Sequence, residues 1–322
     1  MTTSPVRWGI LGAANFAKTT MGPAIHAAHG AELAAVASSS AEKVAGFEAF
    51  ASGVRHHRSY EELLKDPEID AVYIPLPNHL HVAWGIKALE AGKPVLIEKP
   101  VGMDIAEIDR LIAARDAAGL LAAEAYMIVH HPQWQRAKAL LGDGTIGKLV
   151  HVNGAFSFFN DDAGNIRNQA ASGGGGLRDI GVYVMGGARF VTGQEPLKLD
   201  YARVQWEHGV DTFADMGFAF GGFTYQAYTS IRSAPRQEMH FHGEKGLLTL
   251  TCPFNAGKFD QAELHLSMPD QTVRIERFPV VNQYVQQVEA FGRAIRAGET
   301  YAWPLEQARG TQVMMDQVLA AG

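Results

Sequence analysis

Cysteine is nearly absent from this sequence: Cys252 is the only one among 322 residues. One cysteine excludes an intramolecular disulfide and a cysteine-based zinc cluster, and it fits a reducing compartment. Basic runs are missing as well, and the formal net charge is −6, so nucleic acid is not an expected partner. The histidines show no metal-ligand spacing, so we expect no metal site.

Long apolar runs are also missing. The stretch Leu111–Val129 is interrupted by Arg115, Asp116 and Glu124, which is too often for a membrane span. Met1–Pro5 is short and polar, without the basic and apolar regions of a secretory signal. We therefore expect a cytoplasmic protein with no membrane partner. The expected partner is a small molecule.

The length and the 47% hydrophobic content are typical of a globular protein with two domains. Up to residue 125, short apolar runs alternate with helical patterns, which predicts an α/β domain with a parallel, doubly wound sheet of the Rossmann type. From residue 126 onward, alternating strands separated by turn residues predict an α+β domain with a large, mostly antiparallel sheet. We therefore place the domains at 1–125 and 126–322.

The first predicted strand, Val6–Leu11, ends in a turn of small residues that leads into a helix. Such a strand–turn–helix lets a phosphate bind the helix amides, although the spacing G-x-A-x-x-A departs from the dinucleotide fingerprint G-x-G-x-x-G at its second glycine. Taken alone, the turn could also be a plain strand-to-helix connection. The expected phosphate-binding residues are Gly12, Ala13, Ala14, Asn15 and Phe16.

The second strand, Glu32–Ala37, ends in hydroxyl groups rather than in an acid. NAD-binding enzymes usually place Asp or Glu there, where it binds the ribose 2′-hydroxyl. Ser38, Ser39, Ser40 and the nearby Lys43 instead form a polar group suited to a 2′-phosphate. We therefore expect NADP in preference to NAD, while the serines could also simply cap the following helix.

Two further strands end in polar residues. Ala71–Leu76 is followed by Asn78, and Val95–Ile97 is followed by Glu98 and Lys99. Because the carboxyl ends of parallel strands meet at one edge of a sheet, Asn78 and Lys99 are expected to face one cleft. By themselves, Glu98 and Lys99 would also fit a structural ion pair where a strand ends.

A glycine-rich segment, Ser172–Gly176, precedes a helix predicted over about Gly176–Val191. The i, i+4 spacing places Asp179 and Tyr183 on one face of that helix. A close-packed loop, an acid at a helix start and a core tyrosine would explain these residues without a function. Their coincidence with the Glu-Lys-Pro segment of the other domain favours a functional site.

Over essentially its whole length, the sequence resembles the Gfo/Idh/MocA family of oxidoreductases. The resemblance rests on the amino-terminal turn, the Pro77-Asn78…His81 loop, the Gly92-Lys93-Pro94…Glu98-Lys99-Pro100 segment and the Asp179/Tyr183 helix. Tyr183, where many members have histidine, is similar to the branch of glucose–fructose oxidoreductase, NADP-dependent xylose dehydrogenases and dimeric dihydrodiol dehydrogenases. The sequence departs from the family pattern at Ala14, and at Val129, where an arginine is expected.

The resemblance implies hydride transfer between a nicotinamide and a hydroxyl-bearing carbon of a sugar or polyol. Tyr183 is then the expected general acid/base. A free tyrosine has a pKa of about 10, so a nearby cation such as Lys99 would have to favour the phenolate, and Asp179 would orient the pair. The other implied cofactor residues are Leu76, Pro77, Asn78, His81 and Glu98, and the implied substrate residues are Arg167, Asn165, Phe158 and His131.

Several alternatives stay open at this point. His81 could equally be a plain helix-start histidine, and Trp134 is expected in the core. A trans-dihydrodiol is an alternative substrate, and a non-catalytic cofactor- or sugar-sensing regulator is an alternative function on the same fold. The presence of both Lys99 and Tyr183 favours an enzyme.

The carboxy-terminal sheet is expected to have helices on one face and to leave the other face partly open. We expect Phe218, Phe220, Tyr225 and Tyr228 on that open face. An exposed apolar face marks an interface, so the sequence and the resemblance together predict a homodimer, or a dimer of dimers, built through this sheet.

Overall fold

The computed structural model describes residues 4–322, so Met1–Thr3 of the terminal segment interpreted above lie outside the described residues. The chain divides into two units: the residues up to His130 together with Asn282–Arg309, and His131–Val281 together with Gly310–Gly322. The sequence predicted one boundary, between residues 125 and 126. The structure differs because a helix after Val281 packs on the amino-terminal unit, where Phe291 lies 5.2 Å from Trp8 between ring centroids.

The amino-terminal unit contains a six-stranded parallel sheet, with strands β1 (Val6–Leu11), β2 (Ala31–Ala37), β3 (Arg55–His57), β4 (Ala71–Ile74), β5 (Val95–Ile97) and β6 (Ala122–Glu124). Their order is β3-β2-β1-β4-β5-β6, and every neighbouring pair is parallel. This is the predicted Rossmann arrangement. The chain order reverses between β1 and β4, which is where sheets of this kind bind ligands.

Helices connect these strands: α1 (Gly22–Ala27), α2 (Ala41–Ala45), α3 (Tyr60–Lys65), α4 (His81–Glu90) and α5 (Ile105–Ala118). A π-helical turn, Ala17–Met21, precedes α1. Side chains cap several of them: Ser59 accepts a hydrogen bond at the start of α3, and Asp104 does so at the start of α5.

The second unit is built on an eight-stranded sheet, with strands β7 (Leu149–Phe159), β8 (Lys198–Glu207), β9 (Val210–Ala219), β10 (Thr224–Ser230), β11 (Arg232–Gly243), β12 (Leu247–Leu250), β13 (Glu263–Ser267) and β14 (Val273–Arg277). The order is β14-β13-β12-β11-β7-β10-β9-β8. All neighbours are antiparallel except β7 and β10, which are parallel. The mostly antiparallel sheet is therefore confirmed.

Four helices complete the chain: α6 (Pro132–Gly142), α7 (Val182–Thr192), α8 (Gln283–Ala297) and α9 (Leu305–Ala321). A second π-helical turn, Leu177–Gly181, leads into α7. No helix within residues 4–322 is long and apolar enough to cross a membrane.

The helix-covered face of the second sheet carries side chains that the sequence placed on the open face. Phe218, Phe220 and Tyr225 are buried, at 0%, 4% and 1% exposure, so that expectation was wrong for them. Only Tyr228 lies on the open face, where it is half-buried. The reason is the period of a strand: Tyr225 and Tyr228 are three residues apart in β10 and must point to opposite faces.

Candidate active site

The turn after β1 lies at the carboxyl edge of the parallel sheet. Gly12 is buried with a φ of +101°, a conformation that an L side chain rarely adopts, and a Cβ there would lie 2.9 Å from Leu76. Ala13 and Ala14 are half-buried, whereas Asn15 and Phe16 are exposed. The turn therefore presents small side chains and backbone at the edge where the strand order reverses.

The three serines after β2 have different environments. Ser38 is 8% exposed, and its hydroxyl accepts a hydrogen bond from Ser40 N–H at 3.2 Å. Ser40 caps α2, accepting from Lys43 N–H at 3.3 Å, so the capping interpretation holds for this residue. Ser39 and the side chain of Lys43 are exposed, which leaves both accessible to a ligand beside β2.

The segments after β4 and β5 are neighbours because these two strands pair in parallel. Asn78 begins a short 3-10 helix, and Lys99 follows β5 by two residues; both are half-buried. Glu98 accepts a hydrogen bond from the hydroxyl of Tyr73 on β4 at 2.6 Å. Tyr73 thereby fixes the carboxylate that precedes Lys99.

His81 and Leu76 are buried behind the residues at the carboxyl edge of the sheet. Leu76 is 8% exposed and lies under Gly12, while His81 is fully buried. The two ring nitrogens of His81 lie 2.8 Å from the carbonyl oxygen of Pro100 and 2.7 Å from that of Leu76. Both ring nitrogens of His81 therefore face the protein backbone.

The glycine-rich loop of the second unit wraps around Asp211, which the sequence did not single out. Asp211 is 1% exposed and accepts a hydrogen bond from Leu177 N–H at 2.6 Å. A Cβ on Gly175 would lie 2.2 Å from its Oδ1, and one on Gly174 would lie 2.5 Å from the carbonyl oxygen of Arg167. The glycines therefore allow the loop to pass between a buried carboxylate and neighbouring backbone.

Asp179 lies among three of the four expected substrate residues. Its carboxylate pairs with the guanidinium of Arg167 at 2.6 Å, and the charge of Asp179 raises the pKa of Arg167. The side chain of Asn165 accepts a hydrogen bond from Arg167 N–H, and the guanidinium lies 5.8 Å from the centre of the Phe158 ring. The structure thus brings Asp179, Arg167, Asn165 and Phe158 together within one unit.

Tyr183 begins the second turn of the same helical segment. Its ring is 7% exposed and packs against Phe156 and Phe254, each with its ring centroid 5.7 Å away. Tyr183 acts electrostatically on Arg167, in the same direction as Asp179 does. Its phenol group therefore belongs to the neighbourhood of the Asp179–Arg167 pair.

Comparison with known proteins identifies the family of the chain. A family model for oxidoreductases with an NAD-binding Rossmann fold matches residues 6–126, and the Gfo/Idh/MocA carboxy-terminal domain model matches residues 134–249. The chain belongs to the Gfo/Idh/MocA family. The predicted resemblance is therefore confirmed over both units.

Curated relatives of this family span nearly the whole chain. A dTDP-3,4-didehydro-2,6-dideoxy-α-D-glucose 3-reductase from Actinomadura kijaniata is 33% identical over 92% of this chain and 89% of its own. An NADP(+) D-xylose 1-dehydrogenase from Haloferax volcanii is 32% identical over 91% of this chain and 90% of its own. A solved 3-ketoreductase from Actinomadura kijaniata, in complex with NADP and TDP-benzene, has a TM-score of 0.90 at 31% identity and covers 99% of this chain and 98% of its own.

The edge of the Rossmann sheet fits the dinucleotide of a Gfo/Idh/MocA oxidoreductase. The positive φ of Gly12 opens the turn, and the small, half-buried Ala13 and Ala14 let a pyrophosphate approach the backbone. The exposed Ser39 lies at the end of β2, where the ribose of such a ligand is bound. Among residues 4–322, no three His, Cys, Asp or Glu side chains gather as a metal site.

His131 does not join the other expected substrate residues. It is fully buried, its Nδ1 accepts a hydrogen bond from Gln133 N–H at the start of α6, and its ring lies near Phe278. Burial lowers the pKa of His131 to about 4, so the ring is neutral at physiological pH. The structure therefore assigns His131 to the capping of α6 and, as expected, places Trp134 in the core.

Two buried residues close to the Glu98–Lys99 segment were not identified from the sequence. Glu124 ends β6 and binds Val101 and Trp303, and Tyr284 packs edge-on against Phe16, with ring centroids 5.7 Å apart. A signal existed for Glu124, because an acid at the end of an apolar parallel strand repeats the pattern of Asn78 and Lys99. Tyr284 carries no such signal, since it is far from Phe16 along the chain.

Proposed function

We propose that this chain is an NADP-dependent oxidoreductase that transfers hydride between the nicotinamide and a hydroxyl-bearing carbon of a sugar or a sugar derivative. One observation carries the proposal: the Gly12 turn, Asn78 and Lys99 follow three adjacent parallel strands, β1, β4 and β5. They therefore share the edge at which a Rossmann sheet binds its dinucleotide. The relatives that act on dTDP-sugars and on D-xylose support a sugar-like substrate.

The preference for NADP rests on the end of β2. Ser39 and Lys43 are exposed there. Serines occupy positions 38–40, so this segment has no carboxylate that would bind a free 2′-hydroxyl or repel a 2′-phosphate. Phosphate oxygens accept charge-assisted hydrogen bonds from such hydroxyl and ammonium groups. The solved 3-ketoreductase that binds NADP supports the same choice.

The chemistry requires one group to move the hydroxyl proton and another to polarise the substrate oxygen. NADP, when bound, supplies the hydride acceptor or donor at C4 of its nicotinamide. Tyr183 transfers the proton at the substrate hydroxyl, and the ammonium of Lys99 donates a hydrogen bond to the same oxygen and favours the phenolate. Asp179 holds Arg167, so their ion pair orients the polar groups around Tyr183 and binds further hydroxyls of the substrate.

A substrate screen combined with Tyr183→Phe tests the proposal. Sugars, nucleotide-linked keto sugars and trans-dihydrodiols are screened with NADP(H) and NAD(H), and turnover is followed at the reduced-nicotinamide absorbance band. Tyr183→Phe keeps the ring between Phe156 and Phe254, so folding should be unchanged while kcat falls about 10²–10⁴-fold.

The matched control for this variant is Tyr225→Phe. Tyr225 lies in the same unit, is 1% exposed, and its hydroxyl has no hydrogen-bond partner, so its loss should leave kcat unchanged. Full activity of Tyr183→Phe on an identified substrate would show that another group moves the proton. Preferential turnover of trans-dihydrodiols would replace the sugar by the alternative substrate, and cofactor binding without any turnover would favour a regulator.

The protein is further proposed to form a homodimer, or a dimer of dimers, through the open face of the eight-stranded sheet. That face carries half-buried and exposed apolar side chains, namely Tyr201, Phe213, Tyr228, Leu247, Val273 and Ile275. Phe213 and Tyr228 stack on one another, with ring centroids 6.0 Å apart. A second copy related by a two-fold axis would remove these side chains from water.

A further inference from the structure

Two buried ionisable side chains near Lys99 have no part in the reaction described above. His81, the first residue of α4, is fully buried, and Glu124, the last residue of β6, is 2% exposed. Each makes a hydrogen bond with the main chain. Buried charged groups are costly unless they are paired and hydrogen-bonded, so their presence calls for a physical reason.

Both side chains hold the same peptide unit. Nδ1 of His81 lies 2.8 Å from the carbonyl oxygen of Pro100, and the N–H of Val101 donates to Oε1 of Glu124 at 3.0 Å. The Pro100–Val101 peptide, which directly follows Lys99, is therefore held at its carbonyl by His81 and at its amide by Glu124.

The outer ends of the two side chains reach further segments. Nε2 of His81 lies 2.7 Å from the carbonyl oxygen of Leu76, in the segment between β4 and Asn78. Oε2 of Glu124 accepts a hydrogen bond from Nε1–H of Trp303 at 2.8 Å, and Trp303 stacks on Tyr126 at 4.3 Å between ring centroids. One continuous series of polar contacts thus joins the segments that follow β4, β5 and β6.

Burial and hydrogen bonding make opposite demands on the two charges. Burial lowers the pKa of His81 to about 4 and raises that of Glu124 to about 7, which favours the neutral forms. However, both ring nitrogens of His81 face carbonyl oxygens, which only accept, so a neutral ring would set a lone pair against an oxygen within 2.8 Å. Both oxygens of Glu124 face N–H donors, so the proton of a neutral carboxyl would have no acceptor in either partner.

Neighbouring charges act on the pair from several elements. Lys99 and His79 lower the pKa of His81; Lys99 lowers the pKa of Glu124, and Glu98 raises it. Tyr301 also faces Glu124. Lys99 thus disfavours a charged His81 and favours an ionised Glu124. Opposite charges on His81 and Glu124 would stabilise one another across the peptide between them.

We propose that His81 and Glu124 form a buried imidazolium–carboxylate pair, joined through the Pro100–Val101 peptide, that fixes the position of Lys99. All four hydrogen bonds of the pair are satisfied only when both groups are charged. The two are positioning residues, since they act on the main chain beside Lys99. Their effect on turnover rests on the proposed function, whereas their charge state does not.

The charge state is measured on the whole protein by NMR with ¹⁵N-labelled histidine, the His81 signals being assigned by their loss in His81→Gln. At pH 7 we expect both ring nitrogens of His81 to carry a proton. The carboxyl ¹³C shift of Glu124 should show an ionised group at the same pH. A neutral His81 ring or a protonated Glu124 overturns the proposal, and both measurements need only the wild-type chain.

Glu124→Gln tests whether the two charges depend on each other. Removing the carboxylate should lower the pKa of His81, so the ring becomes neutral at pH 7, whereas the control Glu90→Gln, at an exposed position of α4, should leave it charged. A His81 that stays charged in Glu124→Gln overturns the pairing. If Glu124→Gln does not fold, Trp303→Phe removes one donor to the carboxylate instead, and an unchanged carboxyl pKa of Glu124 in that variant counts against the network.

The kinetic measurement separates this inference from the proposed function. On an identified substrate, Glu124→Gln should lower kcat about 10–100-fold, because a displacement of about 1 Å near the reacting groups can cost 10²-fold, while the KM for cofactor changes little. Glu90→Gln should have wild-type kcat. If the wild type turns over no substrate, the proposed function fails and the NMR result still decides the pair; an unchanged kcat in Glu124→Gln refutes the positioning of Lys99 alone.

Discussion

Gly175→Ala probes how the glycine-rich loop is held beside Asp179 and Arg167. Gly175 is buried with a φ of +119°, and a Cβ at this position would lie 2.2 Å from Oδ1 of Asp211. The carboxylate cannot simply move away, because it is 1% exposed and its other oxygen accepts the N–H of Leu177 at 2.6 Å. The substitution therefore adds backbone strain and also breaks a buried hydrogen bond.

The expected cost is the sum of these two effects. A non-glycine residue in such a backbone conformation costs about 1–3 kcal/mol. Loss of a hydrogen bond to a charged acceptor costs about 1.5–3 kcal/mol. We therefore expect the free energy of unfolding of this unit to fall by about 4 kcal/mol, which for a unit of this size lowers Tm by roughly 8–16 °C.

Two controls divide the cost. Gly193 has a φ of +65°, and a Cβ at this position would have no atom of a non-neighbouring residue within 4 Å. Gly193→Ala should therefore lower the free energy of unfolding by backbone strain alone, about 1 kcal/mol. In an Asp211→Ala background, Gly175→Ala should likewise cost only its strain, because the clashing carboxylate is gone. Thermal unfolding by circular dichroism gives the values, and hydrogen exchange over 166–183 shows where the loss occurs. Equal Tm values for Gly175→Ala and Gly193→Ala would refute the proposed role of Asp211.

Three further results are expected. Burial raises the pKa of Asp211 to about 6. Its contribution to the free energy of unfolding is therefore complete below pH 4 and is lost as the pH rises to about 6, a loss on the order of 3 kcal/mol. In Asp211→Asn, Tm should depend much less on pH between pH 4 and pH 6. In a fluorescence titration, Ser39→Asp should weaken NADP binding about 10- to 100-fold, since a charge-assisted hydrogen bond is worth about 1.5–3 kcal/mol. NAD binding should be nearly unchanged in this variant. If the wild type binds NAD more tightly than NADP, the cofactor assignment is wrong. Light scattering should give at least twice the chain mass, and Ile275→Glu, on the exposed sheet face, should shift it toward the monomer; a monomeric wild type at micromolar concentration rules out the dimer.

Local patterns predicted most of the secondary structure because each element is marked by its own residues. Apolar runs bounded by turn residues marked β1, β2, β4 and β5 of the first unit, whereas no such run marked β3. That strand is three residues long, Arg55–His57, and polar, and it lies at the sheet edge where no apolar run is required. The parallel pairing of β7 and β10 has no local mark either, since alternation shows that a segment is a strand but not which strand it joins.

The candidate site was predictable where its residues belong to a turn or a strand end. Gly12, Lys99 and Asn78 lie shortly after the ends of β1, β5 and β4, and Asp179 and Tyr183 share a helical segment preceded by a glycine-rich loop. Residues brought in from distant parts of the chain were not predictable in this way. Trp303 reaches Glu124 across 179 positions, and Asp211 reaches Leu177 across 34, so no spacing rule links them.

Three residues whose contacts the sequence did not indicate share one physical property. His81, Glu124 and Asp211 are buried, and each binds backbone groups of a segment that carries a candidate site residue. An apolar residue of similar size would avoid the cost of burying a charge, but it would leave those backbone groups without partners. Their energetic role is therefore to hold one loop geometry rather than to add net stability. Substitutions at these three positions should disturb the loops around Lys99 and Asp179 before they disturb either sheet.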